Sequence, residues 1–290
     1  MRFSVLKCAG SFLFSVSIAC GFFYGSISLL GKEPTYVTPY YFGPNAFPIP
    51  DIVDKTSPTL NIEMSSNYFN GTRGDKTWDV TLKTVIPLWS DRVNLSVWLP
   101  AAEWYRHSDL YLESCNVAPP YSDSARKGHM TGDVYVTTDM QILRELGKYR
   151  PDILLRAGLK TASGGGSKIA RYYDCPGYFF DAAFAKTFTL SKAHAADLRL
   201  SVASGFLCWQ TAKDQQNDAV MFGAKLKLRL NKFQISEAFS GYSGWEHMAT
   251  NPSHLAHDFP MSFKTKATFA VNDHWTVFGL YEQGLEDYSH

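Results

Sequence analysis

The sequence has no surplus of charge of either sign. Its 28 basic and 27 acidic residues leave a net +1, and charged residues are 19% of the 290. A protein that grips nucleic acid through bulk positive charge is thereby excluded, and no nucleic-acid partner is expected. Mean hydropathy is −0.17, which excludes a bundle of transmembrane helices. Cysteine is sparse, five in all, and no Cys-x-x-Cys pair offers a structural zinc site. Neither Gly-x-Ser-x-Gly nor His-Glu-x-x-His occurs. The Gly164-Gly165-Gly166-Ser167-Lys168 run lacks a strand–loop–helix context and reads as a flexible loop, so no cofactor is expected. What is abundant is aromatic: 20 Phe, 16 Tyr and 7 Trp make up 15% of the chain, too apolar a composition for disorder.

Arg2 and Lys7 precede an apolar run from Cys8 to Leu30 that Gly and Ser dilute. This order reads as a secretory signal peptide over residues 1–28, with Ser17-Ile18-Ala19 and Ser26-Ile27-Ser28 as the small-residue cleavage patterns. The competing reading is an uncleaved membrane anchor. Cys20 follows Ser-Ile-Ala, which departs from a lipoprotein box. The exported chain keeps Cys115, Cys175 and Cys208, and export permits a disulfide. Cys115 and Cys175 fall in neighbouring long loops and are the candidate pair. Cys208 lies within a strand and reads as a small apolar residue.

Residues 29–58 form a segment of different character, with Pro34, Pro39, Pro44, Pro48, Pro50 and Pro58. That proline density forbids a regular helix or a central strand. Its aromatic residues point to an extended arm that docks, expected on the periplasmic side. The stretch Tyr41-Phe42-Gly43-Pro44-Asn45-Ala46-Phe47-Pro48-Ile49-Pro50-Asp51 after a signal peptide resembles a group of exported Bacteroidota proteins of unassigned function. The resemblance implies an outer-membrane β-barrel and implies no activity.

From Leu60 onward the pattern has period 2, the mark of strands. Phe222, Ala224, Leu226, Leu228 and Leu230 share one face, with Gly223, Lys225, Lys227 and Arg229 on the other. Trp78–Leu88, Ile153–Lys160 and Met261–Phe269 alternate in the same way. Lys186 and Glu237 misfit, each charged on an otherwise apolar face. Eleven strands are expected, over 59–69, 77–89, 92–105, 132–146, 150–162, 177–190, 196–211, 218–230, 232–242, 260–271 and 274–284. Most are far longer than the roughly 5–6 residues usual in soluble sheets, and long enough for the ~9–11 that a tilted membrane strand needs. Short connections follow even-numbered strands and longer ones follow odd-numbered strands, as in outer-membrane barrels.

The expected fold is therefore all-β: an antiparallel up-and-down transmembrane barrel over 59–290, in the bacterial outer membrane, with lipid around it. Single-chain bacterial barrels have even strand counts. Twelve strands are expected by design, with the closing strand absent from this chain or hidden within 106–131. A soluble sandwich or lipocalin-like barrel, with its apolar face inward, is the alternative. Trp78, Trp89, Trp104, Trp209 and Trp275 lie near strand ends, as interfacial girdles require.

If lipid meets the apolar face, the lumen is lined by Glu63, Asp79, Lys83, Asp139, Arg156, Lys160, Asp181, Lys225, Lys227, Arg229, Lys264 and Lys266. Eight of these are basic and four acidic, so one wall is positive. A positive wall fits a small pore or passive transport channel for a small anionic solute. The alternative is a closed barrel, its lumen filled by salt bridges or plugged by the arm, serving as a structural or interaction protein with an unknown protein partner. Catalysis is not expected. His107-Ser108 is the nearest approach to an outer-membrane lipid hydrolase, but adjacent strand residues face opposite ways. His247, His254, His257 and Asp258 share a loop without a metal-site spacing and read as solvated side chains.

Overall fold

A computed structural model of the protein describes residues 44–45, 47–71, 73–88, 91–114, 118–165, 176–210, 216–244 and 259–286. The strands are β1 (Asn61–Asn70), β2 (Lys76–Pro87), β3 (Val93–Arg106), β4 (Lys127–Met130), β5 (Tyr135–Leu143), β6 (Asp152–Lys160), β7 (Gly177–Ser191), β8 (Ala196–Gln210), β9 (Gln216–Leu230), β10 (Phe233–Gly244), β11 (Pro260–Ala270) and β12 (Thr276–Glu286). Two short helices, α1 (Asp109–Ser114) and α2 (Asp123–Arg126), lie between β3 and β4. All twelve strands belong to one antiparallel sheet.

Eleven strands follow one another as a meander from β1 to β12, and β4 stands off that path, paired with β3 alone. The physical reason lies in β3. Its first half, Val93 to Trp98, pairs with β5, and its last four residues, Glu103 to Arg106, pair with β4. Between them Pro100 has no N–H to donate, and the β2–β3 register slips from Val80↔Ala102 to Thr81↔Pro100. The segment 106–131 thus holds a hidden strand, as one alternative anticipated, but a side strand. No ladder joins β1 to β12 among the described residues.

The wall separates polar from apolar in the sense opposite to a soluble protein. Met64, Trp78, Phe180, Phe184, Phe188 and Val202 are exposed on the outer face. On the inner face Asp79 and Glu103 are wholly buried, and Asp139, Arg156, Lys160 and Asp181 are at most 5% exposed. Charged side chains are almost never buried in soluble folds unless paired. Here they line the inside of a curled sheet, so the soluble alternative fails. Leu228, on the outer face, is buried because the register sets Leu198 and Ile235 on either side of it.

The misfits resolve locally. Lys186 reaches the adjoining turn, where its Nζ donates to the carbonyls of Gly147 and Arg150 and pairs with Glu145 at 3.1 Å. Glu237 accepts a 2.7 Å hydrogen bond from Thr265, its cross-strand partner in β11. Trp78 and Trp104 stack on the outer face at 4.8 Å, and Trp275 is exposed at the β11–β12 turn. Trp209 differs from expectation. It is fully buried on the inner face against Phe179, because its place in β8 puts it in phase with Arg199, Ser201 and Leu207, which are also buried there. Trp89 lies outside the described residues.

Candidate functional site

The interior of the sheet is occupied by the chain's own arm. Residues 44–45 and 47–60 descend from the long-loop rim to the short-turn rim, and each portion meets a different part of the wall. At the loop end Asn45 Nδ2 donates to Asp79 and to Glu103, both at 2.8 Å, and the Tyr135 hydroxyl donates to the Asn45 carbonyl at 2.9 Å. Asp79 and Glu103 are cross-strand partners close to the ends of β2 and β3. Below them Phe47 and Ile49 enter a buried cluster with Tyr135, Phe179, Leu207, Trp209, Ala219, Met221 and Tyr242. The principal apolar core of the protein thus lies inside the barrel wall and includes the arm.

Further down, Ile52 fits against Gly223, where an added Cβ would stand 2.7 Å from Ile52 Cδ1. Lys225, two residues on and on the same face, donates to the Ile52 carbonyl at 2.6 Å. Asp54 is the strongest anchor. Its carboxylate accepts from Arg199 Nε at 2.8 Å and Ser201 Oγ at 2.5 Å, and Lys225 stands 3.3 Å away. Arg199 also donates to the Asp54 carbonyl and pairs with Asp152 at 2.8 Å. At the turn end Thr56 N–H donates to Gln141, Thr56 Oγ1 donates to the Asp91 carbonyl, and Ser57 and Asn94 exchange two hydrogen bonds. Proline-rich backbone cannot satisfy itself through a ladder, so wall side chains supply its partners.

The remaining expected lining residues are all accounted for. Arg156 and Asp181 form a buried pair at 2.6 Å, with the guanidinium 5.0 Å over the Phe179 ring. Lys160 pairs with Asp133, both fully buried. Asp139 accepts from Ser96 at 3.3 Å. Lys266 on β11, next to edge strand β12, pairs with Glu63 on edge strand β1 at 2.8 Å. Lys264 holds Asp51 of the arm at 2.7 Å and Glu282 at 3.3 Å. Lys83 and Lys227 make no ion pair with any described residue. Arg229 pairs with Asp197 at the turn-end mouth, where it is half-exposed. A cavity of 240 Å³ remains beside the arm, lined from β1, β2, β11 and β12 and reaching across to β3, β5 and β6 at Trp98, Thr137 and Arg156.

Sequence reasoning missed Asn45, Asp51 and Asp54, because nothing in an irregular arm says which side chain meets the wall. It also missed Arg199, although Arg199 alternates with Leu198 and Leu200 and could have been found by the same period. Cys115, Cys175, His247, His254, His257 and Asp258 lie outside the described residues. Cys208 is free and buried. Ser108 Oγ donates to the Arg73 carbonyl and accepts from Tyr111 N–H, while His107 Nδ1 lies 2.9 Å from the Ala125 carbonyl, so no hydrogen bond joins the adjacent pair.

No family model matches the chain, and no curated protein does. Solved structures do. An outer membrane channel from Pseudomonas putida F1 superposes with a TM-score of 0.53 at 11% identity, over 79% of this chain and 87% of that one. The fold is that of an outer-membrane β-barrel. At this identity the likeness speaks for the fold alone.

Proposed function

We propose that the protein is an outer-membrane channel for small anionic solutes whose lumen is closed by its own arm. The observation that carries this reading is the chemistry of the plug. Asp51 and Asp54 sit on Lys264, Lys225 and Arg199, so the arm lays carboxylates along the basic wall where a permeating anion would travel. Lys227, without an ion pair of its own, lies on the same wall. The channel title of the structural neighbour supports the same reading at the level of architecture. The apolar outer face would meet lipid, with the short turns toward the periplasm and the long loops outside.

A second reading is a permanently closed barrel that acts through its loops. It is favoured by pairs that need no arm to persist, Arg156–Asp181 and Lys160–Asp133. Single-channel recording in planar bilayers separates the two. The full chain is expected to be silent or nearly so, and the double variant Asp51→Asn, Asp54→Asn to open with a reversal potential favouring anions. A silent double variant that remains folded would favour the closed barrel.

A further inference from the structure

The 240 Å³ cavity beside the arm has a composition that a water-filled gap does not require. Lys83, Lys264 and Lys266 converge on it from β2 and β11. Of the three, Lys266 is engaged by Glu63 and Lys264 by Glu282 and Asp51. Lys83 has neither a hydrogen bond nor an ion pair to any described residue. Asp51 is the arm's carboxylate here, 54% exposed and paired with Lys264 at 2.7 Å, with Lys83 and Lys266 near enough to act on its charge. The rest of the lining mixes apolar and aromatic groups, including Pro48, Trp98 and Leu280, with polar ones, including Asn67, Thr137 and Arg156.

We infer that Lys83, Lys264 and Lys266 form a binding site for a small organic monocarboxylate, and that Asp51 of the arm holds the carboxylate position when the channel is closed. Arg156 also lines the cavity but its charge is met by Asp181, and the three lysines face Asp51, Glu63 and Glu282, so the cluster is neutral with the arm in place and carries one positive charge once Asp51 leaves. One external carboxylate restores neutrality, which selects a monoanion. Lys83 supplies a donor with no hydrogen bond or close ion pair to give up. The apolar flank accepts a hydrocarbon body, and a dry cavity of ~150 Å³ is already enough for a benzene ring. The cavity therefore fits an aromatic or short aliphatic acid better than a bare inorganic ion. This inference rests on the plugged-channel reading and adds the solute class and the competition between solute and arm.

The test is calorimetric titration of the full chain in detergent with benzoate, and with benzyl alcohol as its neutral counterpart. Benzoate is expected to bind at one site, at least tenfold tighter than benzyl alcohol. Asp51→Asn removes the competitor and is expected to tighten benzoate measurably, by up to about fivefold. Lys83→Met, or Lys83→Gln should the first variant fold poorly, is expected to weaken it at least tenfold with the melting temperature unchanged. Equal affinity for acid and alcohol, or no response to Asp51→Asn, overturns the inference. Such a failure is distinct from failure of the channel reading, which depends on conductance of the arm-released variant and not on benzoate.

Discussion

Replacing Asp54 by Asn is the sharpest perturbation of the plug. The side chain keeps its shape and one accepting oxygen, and loses its charge together with its second acceptor. That charge faces Arg199 and Lys225, with side-chain exposures of 6% for Asp54, 10% for Arg199 and 14% for Lys225. Removing one member of a buried pair costs about 3–5 kcal/mol, because the remaining charges stay desolvated. Arg199 keeps Asp152 and Glu145, which argues for the lower end. Lys225 keeps only the Ile52 carbonyl among its close partners. About 3 kcal/mol shifts the docking equilibrium of the arm roughly a hundredfold. Single-channel recording is the assay, with open time as the measured quantity. Asp54→Asn is expected to raise open time by about that factor. Asp51→Asn, which breaks a pair open to solvent, is expected to change docking by only ~0–1 kcal/mol. Equal open times for wild type and Asp54→Asn in a folded protein would refute the assignment of Asp54 as the main anchor.

Three other outcomes follow from single contacts. Gly223→Val places a Cβ against Ile52 and is expected to lift the arm locally, raising open time while the melting temperature stays within a few degrees. Lys160→Met leaves Asp133 charged and fully buried, and is expected to destabilise the fold by about 3–5 kcal/mol, read by chemical or thermal denaturation. Burial works to raise the carboxyl pKa of Glu145, in the β5–β6 connection, but hydrogen bonds from Thr187 and the nearby Lys186 outweigh it and hold the value below the ordinary Glu range. A depressed folded value gives stability that is present above the unfolded pKa of about 4.3 and lost as pH falls through the depressed one. Wild type and Glu145→Gln are therefore expected to differ in melting temperature at pH 7 and to converge in acid.

The strand plan was legible because period 2 is written into each segment. Phe222 to Leu230 alternates without exception, and the structure reproduces all eleven expected strands with shifts at their ends. The alternation that sets Lys225 and Lys264 opposite Leu226 and Phe263 was legible for the same reason. Pairings were not. Nothing local to Lys160 names Asp133, and nothing local to Arg199 names Asp54, because both contacts depend on the curl of the whole sheet. The strand β4 stayed hidden because it has only four residues, Lys-Gly-His-Met, too few to show a period. The arm's course was the least legible part. Prolines exclude regular structure there but do not say what the irregular chain touches.

The central claim is that hydrocarbon meets the apolar face and the charged face turns inward. Spin labels placed one at a time from Phe179 to Ala185, with the protein in lipid vesicles, test it directly. Labels at 180, 182 and 184 are expected to be accessible to oxygen dissolved in the bilayer, and those at 179, 181, 183 and 185 to be shielded from it. Even-numbered sites that respond instead to a water-soluble relaxant, with no oxygen contrast between the two sets, would contradict the account.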